Sequence, residues 1–447
     1  MVILWTDALI FLLVMALGLV SVYLSRKAQM RRPFRKIARN KAGMVSLTVL
    51  MFFLLIGLAD SVHFRSEESQ TNEIISLLDY WATPIRLNSE KTYSAPFAAY
   101  LYSKEFMTLE DGSRSWGYPR LKHGGAHLEK PDVERVPDVA SRALKGLAKG
   151  IGLCLFFFAL LWSLQKERHR RLFKSSTVKA VCWVVFWVIS IGYMLVELSA
   201  YYHVLGTDKV GEDVFYQAIK SIRTGLVIGT LTTMIMLPLA IVFGILAGFF
   251  RGWIDDVIQY IYTTLNSIPG VLLIAASILM VQVYMANHPE DFTSVVVRAD
   301  MRLLFLCIIL GVTSWTGLCR MLRAETLKLR EMEYVLAARA LGVKQGEILF
   351  RHILPNVMHI VIISVVLDFS SLVLAEAVLS YINIGVDPTT YSWGNMINGA
   401  RLEMARDPAV WWSLTASFLF MFTLVLAANL FADTVRDAFD PRRMEND

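Results

Sequence analysis

The chain has 447 residues, 55% hydrophobic and 18% charged, with a mean hydropathy of +0.49, a balance that would leave a water-soluble fold with far too much exposed apolar surface. Its net charge of +6 comes from basic residues in short stretches beside apolar runs, which argues against nucleic-acid binding. Cys154, Cys182, Cys307 and Cys319 lie in or beside apolar segments and form no CxxC pair, so they read as small buried hydrophobes.

A helix needs about 20 mostly apolar residues to cross a hydrocarbon core about 30 Å thick. Such windows are predicted at Ile3–Leu24, Met44–Ala59, Leu147–Leu164, Val178–Leu198, Ile222–Phe250, Val257–Met285, Leu303–Leu322, Val357–Ile384 and Trp411–Phe431. The expected fold class is an all-α integral membrane protein with about nine transmembrane helices. The third window is the shortest, its strongly apolar part being Ile151–Leu164.

The first window carries Asp7 where a signal peptide has positive charge, and its basic residues follow the apolar run, so cleavage is not expected. Between Ser25 and Gly43 stand Arg26, Lys27, Arg31, Arg32, Arg35, Lys36, Arg39 and Lys41 with no acid, which places this loop in the cytoplasm. Gln165–Lys179, with Lys166, Arg168, Arg170, Arg171, Lys174 and Lys179 against Glu167, is placed there too. Counting spans puts the N-terminus outside and both Arg320–Asn356 and the tail Asp440-Pro441-Arg442-Arg443 inside.

The polar, nearly charge-balanced stretch Asp60–Gly146 falls on the outer side and reads as a small extracytoplasmic domain. Within it Ile74–Trp81 suggests a short helix and Gly112–Gly125 a loop. His123 and His127 have HxxxH spacing, but the glycines between them argue for a solvated loop and against a metal site. The resulting divisions are membrane helices with a basic loop over 1–60, the outer insertion over 61–146, two further helices over 147–202, and the remainder over 203–447.

In that remainder Pro238 and Pro269 predict kinks in long helices, and Glu197 just before it, near the outer end of its helix, reads as an acid paired between helices or reaching water. Asp368 and Glu376 lie in the eighth window, where an ionised acid costs about 2.5–3.5 kcal/mol, so they should face protein or water. Eight residues apart on a helix is about 12 Å along the axis and roughly 80° around it, so both could line one pathway; interhelical pairing is the alternative. The segment 331–356 is predicted as a helix from Glu333 that stops at Gly342 in the left-handed region, then a second amphipathic run to Pro355. Taken alone, this helix–turn–helix serves equally well as an interfacial connector.

Ala337, Ala338, Gly342, Leu354 and Pro355 reproduce the spacing of the EAA loop, and the segment resembles that of ABC-importer permeases, with Leu336 in place of the leading Glu and His352 in place of Ile. The run Phe350–Asn356 (FRHILPN) is similar to the peptide-importer branch. So is His203–Val214 (HVLGTDKVGEDV), with Glu212 where Arg is usual. Ala375–Ser380, Ile384–Val386, Ser392–Met396 and Asp433–Arg442 follow in the family's order. The resemblance covers His203–Arg442, and Phe34–Ala59 is similar to the family's first helix, which makes Asp60–Tyr202 and the initial helix additions.

The resemblance implies a type I ABC-importer permease core over 203–447, coupled through the loop at 331–356 with Glu333, Ala337, Ala338, Gly342, His352, Leu354 and Pro355. It further implies a non-catalytic subunit in the inner membrane of a bacterium, carrying di- or oligopeptides. The implied partners are a second related permease, two cytoplasmic ATPases holding ATP and Mg, and an extracytoplasmic substrate-binding protein. No GxxxxGK[ST] loop occurs in the chain, so no cofactor is expected on it. Alternatives are a permease of the same fold for nickel, a glycoside or a modified peptide; a secondary transporter or channel, which would have ion sites at mid-membrane and no docking loop; and a receptor built around Asp60–Gly146.

Overall fold

The computed structural model describes residues 4–26, 28–65, 74–108, 114–164, 175–292 and 294–439. The basic residues expected at 166–174 and the tail from Asp440 lie outside the described residues. The helices are α1 Trp5–Arg26, α2 Ala28–Arg39, α3 Lys41–Asp60, α4 Leu77–Trp81, α5 Thr83–Leu87, α6 Pro131–Leu164, α7 Ser176–Ser199, α8 Val214–Phe250, α9 Trp253–Ser267 and α10 Gly270–Asn287. They continue with α11 Val295–Ser314, α12 Thr316–Leu329, α13 Glu333–Ala340, α14 Gln345–Ile348, α15 Leu354–Tyr381, α16 Trp393–Glu403 and α17 Trp412–Phe439.

Among the described residues seven helices are long and apolar enough to cross a membrane: Lys41–Asp60, Pro131–Leu160, Ser176–Ser199, Val214–Phe250, Gly270–Asn287, Gln345–Tyr381 and Trp412–Phe439. Two expected windows divide. Val257–Met285 breaks after Ser267 because Pro269 has no amide proton to continue the helix, and α10 restarts behind it. Leu303–Leu322 breaks at Trp315, the shared cap of α11 and α12. At Pro238, by contrast, α8 runs through without interruption. The window Leu147–Leu164 belongs to a longer helix that begins at Pro131, because Pro131–Gly146 is polar but helix-compatible.

The chain forms two compact units. One comprises Ala38–Thr224 and Tyr391–Ala427. Here α6 and α7 pack closely, since a Cβ on Gly146 would lie 2.8 Å from Met194 Cα and one on Gly150 2.7 Å from Ser190 Cα. That small-xxx-small spacing lets two membrane helices approach through dispersion contacts. Of the two expected roles for Glu197 the structure shows pairing between helices, with Lys149 at 2.7 Å.

The segment between α3 and α6 contains two hairpins that the sequence reading did not anticipate. β1 His63–Arg65 pairs antiparallel with β2 Ile74–Ser76, so the expected helix over Ile74–Trp81 is a strand followed by α4, with Ser76 and Asp79 forming a reciprocal capping box at the switch. β3 Glu105–Thr108 pairs with β4 Arg114–Gly117, so part of the expected loop Gly112–Gly125 is a strand. Pairing between two separate segments, invisible to a one-segment reading, decides it.

The other unit comprises Ile3–Ile37, Gly225–Thr390 and Ala428–Asp447. The added helix α1 is tied to α11, the Thr6 backbone N–H donating to Asp300 at 3.3 Å and its hydroxyl to the same carboxylate. The main apolar cluster joins α8, α9, α12 and the segment 335–361, with Phe249, Ile258, Tyr262, Leu318, Cys319 and Leu322 buried in it.

Candidate functional site

The segment 331–356 is built on that cluster. Helix α13 starts behind Met332, whose extended backbone begins the helix without a side-chain cap, and Glu333 in the first turn complements the positive helix end. Its other end is a Schellman motif: Gly342 N–H donates to Arg339 O at 3.0 Å, Val343 N–H to Ala338 O at 3.1 Å, and Gly342 sits at φ 76°. Nothing lies within 4 Å of a Cβ built on Gly342, so its backbone conformation and not crowding demands glycine.

The second run departs from the expected amphipathic helix. Only Gln345–Ile348 is α-helical; Leu349–Ile353 widens into a π turn before α15 begins. Pro355 explains the widening, because its ring has no N–H for the carbonyl four residues earlier and would collide with it in a regular helix.

Alternate faces of the segment have different fates. Val335, Ala338, Ile348, Ile353 and Val357 are buried in the cluster, and Leu354 packs against it. Glu333, Ala337, Gly342 and Pro355 are exposed, and His352 is half-buried. The His352 ring lies 6.0 Å from that of Tyr334, while the Asn356 amide donates to His352 O at 2.7 Å and to the Tyr334 hydroxyl at 3.1 Å. The seven expected residues therefore share one segment but not one role: Ala338 and Leu354 seat it, and Glu333, Ala337, Gly342 and Pro355 form its outer surface.

Sequence reasoning missed the most prominent outer residues, Leu341 at 83% exposure and Phe350 at 74%. Their apolar character was visible, but the spacing alone does not separate an inner from an outer position around a tight turn. It also missed the clamps beneath. Arg330 donates to Phe249 O at 2.7 Å, Arg339 stacks 4.7 Å from the Phe249 ring centroid, Arg251 pairs with Glu331 at 3.0 Å, and Arg323 grips Asp255 with two bonds of 2.6 Å. A bidentate guanidinium–carboxylate pair fixes orientation as well as distance, so the seat is fixed below an outer surface on which Leu341 and Phe350 stand exposed.

Asp368 and Glu376 both lie on α15 and have different surroundings. Glu376 is buried and accepts a bond of 2.7 Å from Ser380 Oγ. Asp368 is half-buried, and the bond recorded at this residue runs from Ser371 Oγ to its backbone carbonyl at 2.8 Å.

In the other unit the run His203–Val214 is a capping device. Asp213 accepts from the backbone N–H groups of Phe215 and Tyr216 at 2.8 and 3.1 Å and so caps α8, while its other oxygen meets His203 Nδ1 at 2.7 Å. Glu90 faces the far side of that imidazole, Nε2 to Oε1 at 3.5 Å, an ion-pair distance too long for a good hydrogen bond. Glu90 accepts in addition from the backbone of Lys122, His123 and Gly124 at 2.9, 2.8 and 3.1 Å.

Burial opposes the charged imidazole, but the bond to Asp213 and the nearby Glu90 outweigh it and push His203 up to about 9. Burial likewise opposes the Glu90 carboxylate, and His203 with the three N–H groups holds it down to about 2. Gly206 and Gly211, at φ 70° and 81°, pass so close to Ser94 and Glu90 that any Cβ would overlap their carbonyl oxygens. Glu212, the departure from the family pattern, accepts from Gln217 at 3.1 Å and from the Tyr391 hydroxyl at 3.2 Å.

Comparison with known proteins matches residues 240–445 to the binding-protein-dependent transport system inner membrane component family. A dipeptide transport system permease protein of Lactococcus lactis is 30% identical over 244 residues, 55% of this chain and 65% of that protein, so the match spans less than two thirds of that relative. A putative peptide permease of Brucella suis is 33% identical over 243 residues, covering 54% of this chain and 73% of the relative. A glutathione transport system permease protein of Pectobacterium atrosepticum is 31% identical over 240 residues, 54% of this chain and 73% of the relative. This chain belongs to the family of binding-protein-dependent transport system inner membrane components, the permease subunits of ABC importers.

Proposed function

We propose that this chain forms part of the membrane pathway of an ATP-driven importer of short peptides and couples to separate ATPases through the outer surface of 331–356. The observation that carries the reading is a Schellman-capped helix seated rigidly on the apolar cluster while Leu341 and Phe350 stand exposed beside the cap. Exposed large apolar side chains on a clamped turn suit a protein partner and are costly without one. Peptide cargo is supported by the relatives named for dipeptides, peptides and glutathione; the last supports a modified peptide as the second reading.

The working unit in this reading pairs the chain with a second permease, two ATPases that hold ATP and Mg, and an extracytoplasmic binding protein. Orientation follows the basic loops, with the N-terminus outside and 331–356 in the cytoplasm. ATP-driven closure of the ATPases would move α13 and rock the spans. Asp368 and Glu376 contribute negative charge on one helix to meet a peptide's ammonium group. Glu376→Gln should lower uptake at steady protein level, and undiminished uptake of every substrate would remove it from the pathway.

Gly342→Val tests the coupling element. At φ 76° a β-branched residue costs about 1–2 kcal/mol, too little to prevent insertion but enough to distort the turn. Expression and pairing with the partner permease should persist while ATPase copurification and transport in proteoliposomes fall. Wild-type values of both would remove this turn from the coupling pathway.

A further inference from the structure

The hairpin β3–β4 is the outer part of a longer arm. Its root is pinned: Leu101 N–H donates to Pro119 O at 2.8 Å, Leu121 N–H to Ala99 O at 3.0 Å, and Ala99, Leu101 and Leu121 are buried. Tyr102 adds a bond of 3.0 Å to Ala409 O.

Further out, the register sets Phe106 opposite Trp116 and Thr108 opposite Arg114. Because side chains alternate along each strand, Phe106, Trp116 and Arg114 share one face. Phe106 and Trp116 meet edge to face with centroids 4.6 Å apart, and Lys104 lies over the Tyr118 ring at 5.4 Å, continuing the same face. The other face is closed locally, with Met107 folded over Gly117, where a Cβ would come within 2.7 Å of Met107 Cε, and Glu105 paired to Lys91.

Phe106 is 72% exposed, Trp116 56% and Tyr118 48%. Three aromatic side chains held in water by a rooted hairpin form a rigid surface, since each loses little freedom on being covered. Lys104 and Arg114 border them, and among the described residues this face carries no acid. The arm, at residues 99–121, lies outside the matched region 240–445, so the shared permease core does not account for it.

We propose that the face formed by Lys104, Phe106, Arg114, Trp116 and Tyr118 docks the importer's substrate-binding protein, receiving an apolar patch bordered by carboxylates. The assignment rests on the functional reading above, in which the arm stands on the side where that protein arrives. Charge complementarity selects the partner: two cations around an aromatic centre match an acidic rim. Buried Trp and Tyr anchors with Arg nearby are the usual energetic centres of protein interfaces. An anionic lipid surface is the competing occupant, and the crosslinking outcome below separates it from the binding protein.

The test uses the full transporter, with its ATPases, in nanodiscs containing phosphatidylglycerol, titrated with its purified binding protein. Phe106→Ser combined with Trp116→Ser should weaken the apparent affinity about tenfold or more while ATPase copurification stays unchanged. Lys104→Glu combined with Arg114→Glu should weaken it as well and reduce its salt dependence; being exposed charge changes, these leave the fold intact. Wild-type affinity in both double variants, with the binding protein still stimulating ATP hydrolysis, overturns the docking site and leaves the functional reading standing. Photo-crosslinking from p-benzoylphenylalanine in place of Phe106 to lipid, with none to the binding protein, also overturns it. If the unsubstituted transporter retains no ATPase and ignores the binding protein, the functional reading itself fails.

Discussion

The knot around His203 and the segment 331–356 treat polarity in opposite ways. Around His203, charged groups are buried beside opposite charge: Asp213 bonds one side of the imidazole, Glu90 faces the other at ion-pair distance, and both carboxylates also accept backbone N–H bonds. Along 331–356, large apolar groups are exposed, led by Leu341 and Phe350. The difference separates structure from recognition. A charge buried among opposite charges in this knot serves the fold, and its removal leaves the others uncompensated. An exposed apolar side chain on a clamped turn contributes little to its own fold and much to whatever covers it.

The largest effect expected from this contrast is in the knot. Asp213→Ala removes the partner of His203 Nδ1 and the cap of α8 together, leaving a buried cation with Glu90 as its remaining acid. Breaking such a pair costs about 3–5 kcal/mol. Thermal unfolding of the purified protein should shift to markedly lower temperature, and proteolysis between α3 and α6 should accelerate. An unshifted transition would mean that the knot is not what holds this unit.

Acidity sharpens the same point. His203 rises from an ordinary 6.5 to about 9, so its contribution is complete below pH 6.5 and is lost as pH rises through 9. Glu90 falls from 4.5 to about 2, so its contribution is complete above pH 4.5 and is lost as pH falls toward 2. Thermal stability should therefore plateau between about pH 4.5 and 6.5 and decline on both sides. His203→Gln should flatten the alkaline decline; an unchanged alkaline limb would assign it to other groups.

The smallest stability change belongs to the exposed site. Phe350→Ser should alter thermal stability by no more than about 0.5 kcal/mol, as for surface positions generally, yet reduce ATPase copurification and ATP-dependent uptake. Loss of stability without loss of copurification would reverse the contrast and make Phe350 a packing residue.

Much of this was legible in the chain. Apolar windows located the long helices because a span must satisfy its own backbone and match the bilayer thickness, both local requirements. Gly342 announced a left-handed helix end because only glycine takes that conformation without strain, and the structure places it at φ 76°. The breaks at Pro269 and Trp315 divide windows that hydropathy had joined, because an average over apolar residues does not register a missing amide proton or a shared cap.

By itself, then, the sequence determined the membrane class, the positions of most long helices, the family order of motifs and the turn at Gly342, all consequences of composition or of conformational limits within a few residues. Tertiary structure decided which side of 331–356 is buried in the cluster with Phe249 and Leu322, and so which of its residues remain free for a partner. It also decided that Glu90 meets His203 and that Phe106 meets Trp116 on an exposed face. Those pairings join residues from different segments, and only the packing of the whole chain sets the distance between them.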